Sequence, residues 1–306
     1  MAKPSKAQQR KFINTADEHQ QHIVKALRAL SLRHSVAKVW ADWVEMSAIA
    51  MSNAVDKRQF EPREKRYLQI VGQYQPDEVQ QLAQALAHLV ACWELRVQTG
   101  DFGDVLGATF MMLDMGNESA GQFFTPYEVS RLMGQMLGVG KELQERAKAQ
   151  ELVQLMEPAC GAGGMIIASA QAMREAGLNY QQQLHVSAID IDARCVHMTY
   201  LQLSLLHIPA VIVHGDALSG KEWGHWYTPA HVLGGWESRL RRHEAIQAAR
   251  EIMRGTSLGE VVAESDAVAA QSEPQDSAQI KESLALPSSA KRAAQAAAAA
   301  GQMLLF

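Results

Sequence analysis

The chain has 306 residues, 47% of them hydrophobic, and a formal net charge of −4. That is long and apolar enough for one large domain or two smaller ones with a real core, and the charge excludes a broad electrostatic coat for nucleic acid, so any such contact must be local. Cys92, Cys160 and Cys195 are widely spaced and form no CxxC pair, so neither a disulfide framework nor a zinc site is indicated, and a reducing compartment is expected.

The N-terminus, Met1-Ala2-Lys3-Pro4-Ser5-Lys6, runs into charged and Gln-rich sequence without an apolar h-region. No later segment has the ~20 apolar residues of a membrane span, so a cytoplasmic protein without membrane contact is expected. From about Ile23 to Gly116 the pattern is helical: after a Pro76-Asp77 start, Val79, Leu82, Leu86, Leu89, Trp93 and Val97 recur at steps of three and four. Trp40, Trp43 and the run from Met46 to Ile49 make a similar face, which reads as core. A helical N-terminal domain is expected over residues 1–116.

Beyond Gly116 helix and strand signals alternate: a helix from about Pro126 to Leu137, a strand at 152–157, a helix at 163–176, a strand at 184–190, a helix at 193–207 and a strand at 210–214. Such alternation predicts an α/β fold with a parallel sheet and crossover helices, here over 117–236. Asp190 and Asp216 then stand at strand C-termini, the edge that carries the ligand crevice of an open sheet. A basic helix is expected over 237–255. Residues 256–306, rich in Ala, Ser, Gln and Glu, cannot bury a core and read as a flexible, disordered tail.

The most informative local feature is the apolar run 152–156 ending in Glu157-Pro158-Ala159-Cys160-Gly161-Ala162-Gly163-Gly164, after which the chain turns helix-forming. Glycines let the backbone take positive φ and approach a ligand, while the helix N-terminus directs N–H groups and a positive dipole into the turn. The carboxylate of Glu157 suits a ligand with an ammonium group better than one with a pyrophosphate. On the turn alone, a dinucleotide site and a plain strand-to-helix connection both stay open. Asp190, one βαβ step later, can accept from both hydroxyls of a ribose, and Asp216 can accept from an adenine amino group. Asp192 is better placed to cap the next helix. Upstream, Gly121-Gln122-Phe123-Phe124-Thr125-Pro126 opens a helix with Thr125 as N-cap and Pro126 in its first turn.

Together these four elements, in this order, resemble the N6-adenine DNA methyltransferases, especially the modification subunits of type I restriction systems. The resemblance runs from about Asp101 to Leu218 and implies S-adenosylmethionine as cofactor and a Rossmann-like methyltransferase sheet, which is expected to be shortened here because strands four to seven of such a sheet are not evident in the sequence. It also implies that Phe124 and Thr125 lie beside the methionine carboxylate. Glu157 and the turn from Cys160 through Gly161 and Gly163 to Gly164 would cradle the methionine part, Asp190 would hold the ribose, and Asp216 would read the adenine.

The sequence departs from that family where its catalytic tetrapeptide, Asn or Asp followed by Pro-Pro and an aromatic, should follow Asp216. No asparagine occurs after Asn179. In its place stands Trp223-Gly224-His225-Trp226-Tyr227-Thr228-Pro229-Ala230-His231, followed by Gly234-Gly235-Trp236. Trp226 could stack on a target base, and Tyr227, Thr228 and carbonyls before Pro229 could accept hydrogen bonds from its amine. The same aromatics could simply cover an open sheet edge. Two functions therefore remain: an adenine N6-methyltransferase with its acceptors in the 223–236 loop, and a cofactor-binding relative without activity that serves as a regulatory or DNA-processing accessory protein.

Candidate DNA contacts are Arg239, Arg241, Arg242 and Arg254, although a solvated helix face explains such a run equally. No region of suitable length remains for a target-recognition domain, so low sequence selectivity and single-stranded DNA, where base flipping costs least, are expected. The final Gln302-Met303-Leu304-Leu305-Phe306 resembles the peptides that hold the bacterial sliding clamp, through Gln302, Leu305 and Phe306. The alternative is that these residues pack back onto the domain.

Overall fold

The computed structural model describes residues 16–113, 124–138, 152–250, 252 and 303–304. Gly121, Gln122, Phe123, Arg254, Gln302, Leu305, Phe306 and the expected tail, apart from 303–304, lie outside them. Among the described residues, those up to Gly234, together with Met303 and Leu304, form one compact unit, and those from Gly235 to Ile252 belong to a second.

The first unit begins with α-helices whose starts are chemically marked. The Asp17 carboxylate accepts from the Gln20 amide at 2.8 Å and caps α1 (Glu18–Leu30), and Ser35 caps α2 (Val36–Val55). A 3₁₀ turn (Lys57–Gln59) leads into α3 (Phe60–Val71). Helix α4 (Pro76–Thr99) opens on a capping box between Gln75 and Glu78, and α5 (Val105–Met112) is capped by Asp104. The periodic stripe of α4 faces inward as expected: Leu82, Leu89 and Trp93 are buried with Trp40 and Trp43 of α2. Truncating any of those tryptophans to alanine removes about 3–5 kcal/mol of packing.

Next come α6 (Tyr127–Gly138), β1 (Val153–Glu157), α7 (Gly164–Glu175), the single turn α8 (Tyr180–Gln183), β2 (Leu184–Asp190), α9 (Ala193–Leu205) and β3 (Ala210–Asp216). Strand β4 (Lys221–Tyr227) folds back on β3, followed by α10 (Pro229–Leu233), and Met303–Leu304 form the two-residue strand β5. The sheet order is β4-β3-β2-β1-β5, with β4 antiparallel and the other neighbours parallel. This is the expected α/β architecture, with strands and helices starting and ending within two residues of where alternation put them. A single buried cluster joins the helical layer to the sheet, from Trp40 and Phe110 to Val186 and Ile212.

Two features differ from the sequence reading. Helix α6 starts at Tyr127, with the Pro126 carbonyl accepting from the Ser130 amide at 3.2 Å, so Thr125 stands one residue before the cap position. The stretch read as an aromatic loop from Trp223 instead completes strand β4 as far as Tyr227 and continues into α10, and Arg63 of α3 fastens the strand. The guanidinium lies 4.0 Å from the Trp226 ring centre and donates to the His225 carbonyl at 2.7 Å, while also meeting the buried Asp56 carboxylate at 3.0 Å.

In the second unit residues 236–250 are helical. The Arg239 guanidinium lies 3.9 Å from the Trp236 ring centre, and Arg241 pairs with Glu237 at 3.2 Å. Arg242 is exposed. The basic run is thus partly engaged within its own helix.

Candidate cofactor site

Strand register orders three acids along one edge of the sheet. Glu157 ends β1 opposite Ala188, Asp190 ends β2 opposite His214, and Asp216 ends β3. Adjacent strands lie about 4.8 Å apart, so the carboxylates form a staggered row at the C-terminal edge.

The turn after β1 is held from all sides. Cys160 donates its amide to the Ile189 carbonyl at 2.9 Å, and the Gly161 amide reaches Oδ2 of Asp190 at 2.8 Å. Thr199 Oγ1 donates to the Gly161 carbonyl at 2.9 Å, and Gln202 Nε2 donates to the Ala162 carbonyl at 2.6 Å. Gly161 has φ +55° and Gly163 φ +90°, a region that glycine alone enters freely. A Cβ on Gly161 would stand 3.0 Å from the Phe124 ring, so Phe124 lies directly on the turn. The N-terminus of α7 opens there, as the sequence predicts.

Glu157 is 1% exposed; its Oε1 accepts from the Ala159 amide at 3.2 Å, and Oε2 is buried with no hydrogen-bond partner. Burial, with Asp190 nearby, pushes its carboxyl up to about 7. A buried carboxylate oxygen without a donor is costly unless a ligand supplies one. An ammonium group meets that need. Burial also raises the Asp190 carboxyl, although the Asp192 and Gly161 amides oppose the shift. Its two oxygens retain lone pairs for hydroxyl donors beyond those amides. Asp192 caps α9, accepting from the Arg194 amide at 2.8 Å. The Asp216 carboxyl is held below its ordinary value by the Ser219 hydroxyl and the Leu218 amide. Cys160 is buried, which pushes its thiol well above the ordinary range and leaves it a packing role.

Sequence reasoning missed the residues that stand behind the turn. Asp104 is buried, with its carboxyl raised by burial, and accepts from Gln202 Nε2 at 2.8 Å and from the Gly107 amide at 2.8 Å. Gln202 Oε1 accepts from the Leu106 amide at 2.9 Å, so one side chain joins α5 to the turn. Ser130 of α6 is buried with no partner for its hydroxyl, 3.7 Å from where a Cβ on Gly164 would stand. A buried-face polar residue inside α9 was the one available signal for Gln202.

The structure does not bring the expected catalytic residues to this edge. Tyr227 pairs with Val211 near the start of β3, whereas Lys221 pairs with Asp216 at its end. Tyr227, Thr228 and Pro229 therefore lie at the opposite edge, about 16 Å from Asp216 along the strand. Thr228 is 0% exposed and its hydroxyl is committed, accepting from the Ala210 amide and donating to the Ile208 carbonyl, each at 2.9 Å. Trp226 is packed among Arg63, His197 and Tyr200. These four assignments are corrected: the residues fasten β4 and its following turn. Of that segment, Trp223 stands nearest the acids, 54% exposed and edge-on to His214 at 4.8 Å.

Among the described residues no group of side chains is arranged to hold a metal ion, and no helix is long and apolar enough to cross a membrane. No curated protein matches the chain. A solved structure assigned as a class I S-adenosylmethionine-dependent methyltransferase, from Listeria monocytogenes, aligns at TM-score 0.40 and 14% identity over 67% of this chain and 56% of that one. A type I restriction-modification methyltransferase subunit from Streptococcus thermophilus aligns at TM-score 0.34 and 13% identity over 71% and 60%. The chain thus spans less than two thirds of either of them. Residues 98–233, a segment that holds Asp104, Phe124, the glycine turn, Asp190 and Asp216, match the model of the N-6 DNA Methylase family.

Proposed function

We propose that this chain binds S-adenosylmethionine at the C-terminal edge of its sheet and acts as a DNA methyltransferase of the adenine N6 kind. The observation that carries the cofactor reading is the buried, partnerless Oε2 of Glu157 beside a preformed glycine turn. In this reading Glu157 meets the methionine ammonium, and the turn with Phe124 and Thr125 flanks the methionine carboxylate. Asp190 accepts from the ribose and Asp216 from the adenine. The cofactor supplies an electrophilic sulfonium methyl.

The family match to residues 98–233 supports transfer to a DNA adenine. With residues 226–229 at the far edge, the acceptors for the target amine must come from the acid-lined edge, where Trp223 offers a stacking face for a flipped or single-stranded base. Low sequence selectivity belongs to the same proposal, as does a replication tether through residues 302–306, which would require that peptide to leave β1, where Met303 and Leu304 are paired. Its test is transfer of labelled methyl groups to single-stranded and duplex DNA, with cofactor affinity measured by calorimetry and clamp retention by pull-down with and without residues 302–306. The missing tetrapeptide and the position of residues 226–229 favour one second reading, a cofactor-binding accessory protein. Tight cofactor binding with no transfer to any nucleic acid would establish it.

A further inference from the structure

In a doubly wound sheet the strand order reverses beside β1, so β1 is an inner strand with a neighbour on each side. Here β3 and β2 lie on one side of β1, and on the other stands only a pair of residues: Met303 opposite Leu155 and Leu304 opposite Met156, both parallel. The remainder of that edge, from Val153 to Glu157, has no other strand partner among the described residues. The far edge of the sheet is managed differently. It ends in β4, a full antiparallel strand of seven residues whose first three, Lys221, Glu222 and Trp223, are exposed.

An inner strand left as an edge presents unsatisfied N–H and C=O groups and draws in any extended segment able to pair with them. Val153 and Leu155 of β1 are buried in the core cluster, so its register is set and the edge is preformed. We propose that the outer edge of β1 is a strand-acceptor site and that its occupant is the C-terminal pair Met303–Leu304 of the same chain. The stretch from Gly235 to Gln302 has ample reach to bring that pair back, since even a flexible chain of such length spans tens of ångströms. The pairing ends one residue before Glu157, so the carboxylate of the candidate site is the next residue along the edge.

The test is hydrogen–deuterium exchange of the full chain without cofactor, which separates this inference from the fate of the methyltransferase reading. Deleting Gln302–Phe306, or replacing Met303→Pro and Leu304→Pro together to remove both amide donors, should speed exchange in the peptide covering 152–157 by about tenfold or more. Peptides covering β2 and β3 should not change, and neither should the Ala298→Pro control. Adding a synthetic peptide of residues 300–306 to the truncated chain should restore protection. If light scattering shows the truncated chain to be dimeric with 152–157 protected again, a second copy has taken the vacated edge, and the site stands. Unchanged exchange over 152–157 in a monomeric truncated chain overturns the proposal.

Discussion

The Gly161 amide meets the Asp190 carboxylate at 2.8 Å, so the acid ending β2 shapes the turn ending β1 before any ligand arrives. Its other oxygen accepts from the Asp192 amide at 2.9 Å. Asp190→Ala should loosen the turn, by leaving both amides without their charged acceptor, and remove the acceptor for the ribose hydroxyls; the cost is about 1.5–3 kcal/mol of binding, a roughly 10- to 150-fold loss of S-adenosylmethionine affinity by calorimetry. Asp190→Asn offers a single acceptor oxygen and should fall between. Affinity unchanged in the alanine variant would remove Asp190 from the cofactor site.

Glu157 gives a pH dependence with a definite sign. Its folded carboxyl titrates near 7, above its ordinary value of 4.5. Below 4.5 the group is protonated in both states; as pH rises toward 7 the unfolded chain ionises first, so stability from this group is lost across that window, on the order of 3 kcal/mol. Glu157→Gln should flatten that part of the stability profile in urea titrations. Affinity for the cofactor should rise through pH 7 in the native protein, because an ammonium ligand needs the carboxylate, and be weak and pH-independent in the glutamine variant.

Arg63 is predicted to matter for stability and not for chemistry. Removing its guanidinium leaves the buried Asp56 carboxylate uncompensated and takes away the cation over Trp226. Arg63→Ala should cost about 3–5 kcal/mol in denaturant unfolding. Arg63→Lys should recover little of it, since one ammonium cannot serve both Asp56 and the His225 carbonyl in a fork.

The corrected edge yields a paired test. Tyr227→Phe should leave cofactor affinity and any methyl transfer unchanged. Thr228→Val should lower stability by about 1–2 kcal/mol through the lost helix cap and buried hydroxyl bonds. A Tyr227→Phe variant with intact cofactor binding and no transfer would put the reacting amine at the N-terminal edge after all.

What the sequence revealed follows the range of the physics involved. Strands at 152–157 and 184–190 and the acids at their ends are written in local periodicity, and the glycine turn in its own composition. Strand β4 was hidden because Lys221-Glu222-Trp223-Gly224 lacks a clear alternation and is held by Arg63, 162 residues from the His225 carbonyl that it binds. Asp104 and Gln202 were invisible for the same reason: their bond joins residues 98 positions apart. The catalytic assignment failed because order along the chain does not tell which end of an antiparallel strand a residue occupies.

Gln202 makes the helical layer and the turn inseparable. Its amide oxygen takes the Leu106 amide of α5 while its nitrogen serves both Asp104 and the Ala162 carbonyl. A fragment starting after α5 would lose the first two of those partners and leave a buried side-chain amide half satisfied, loosening the Ala162 carbonyl it holds. Helices and cofactor turn should therefore melt as one thermal transition, and a ligand bound at the turn should raise the melting temperature of helices that never touch it.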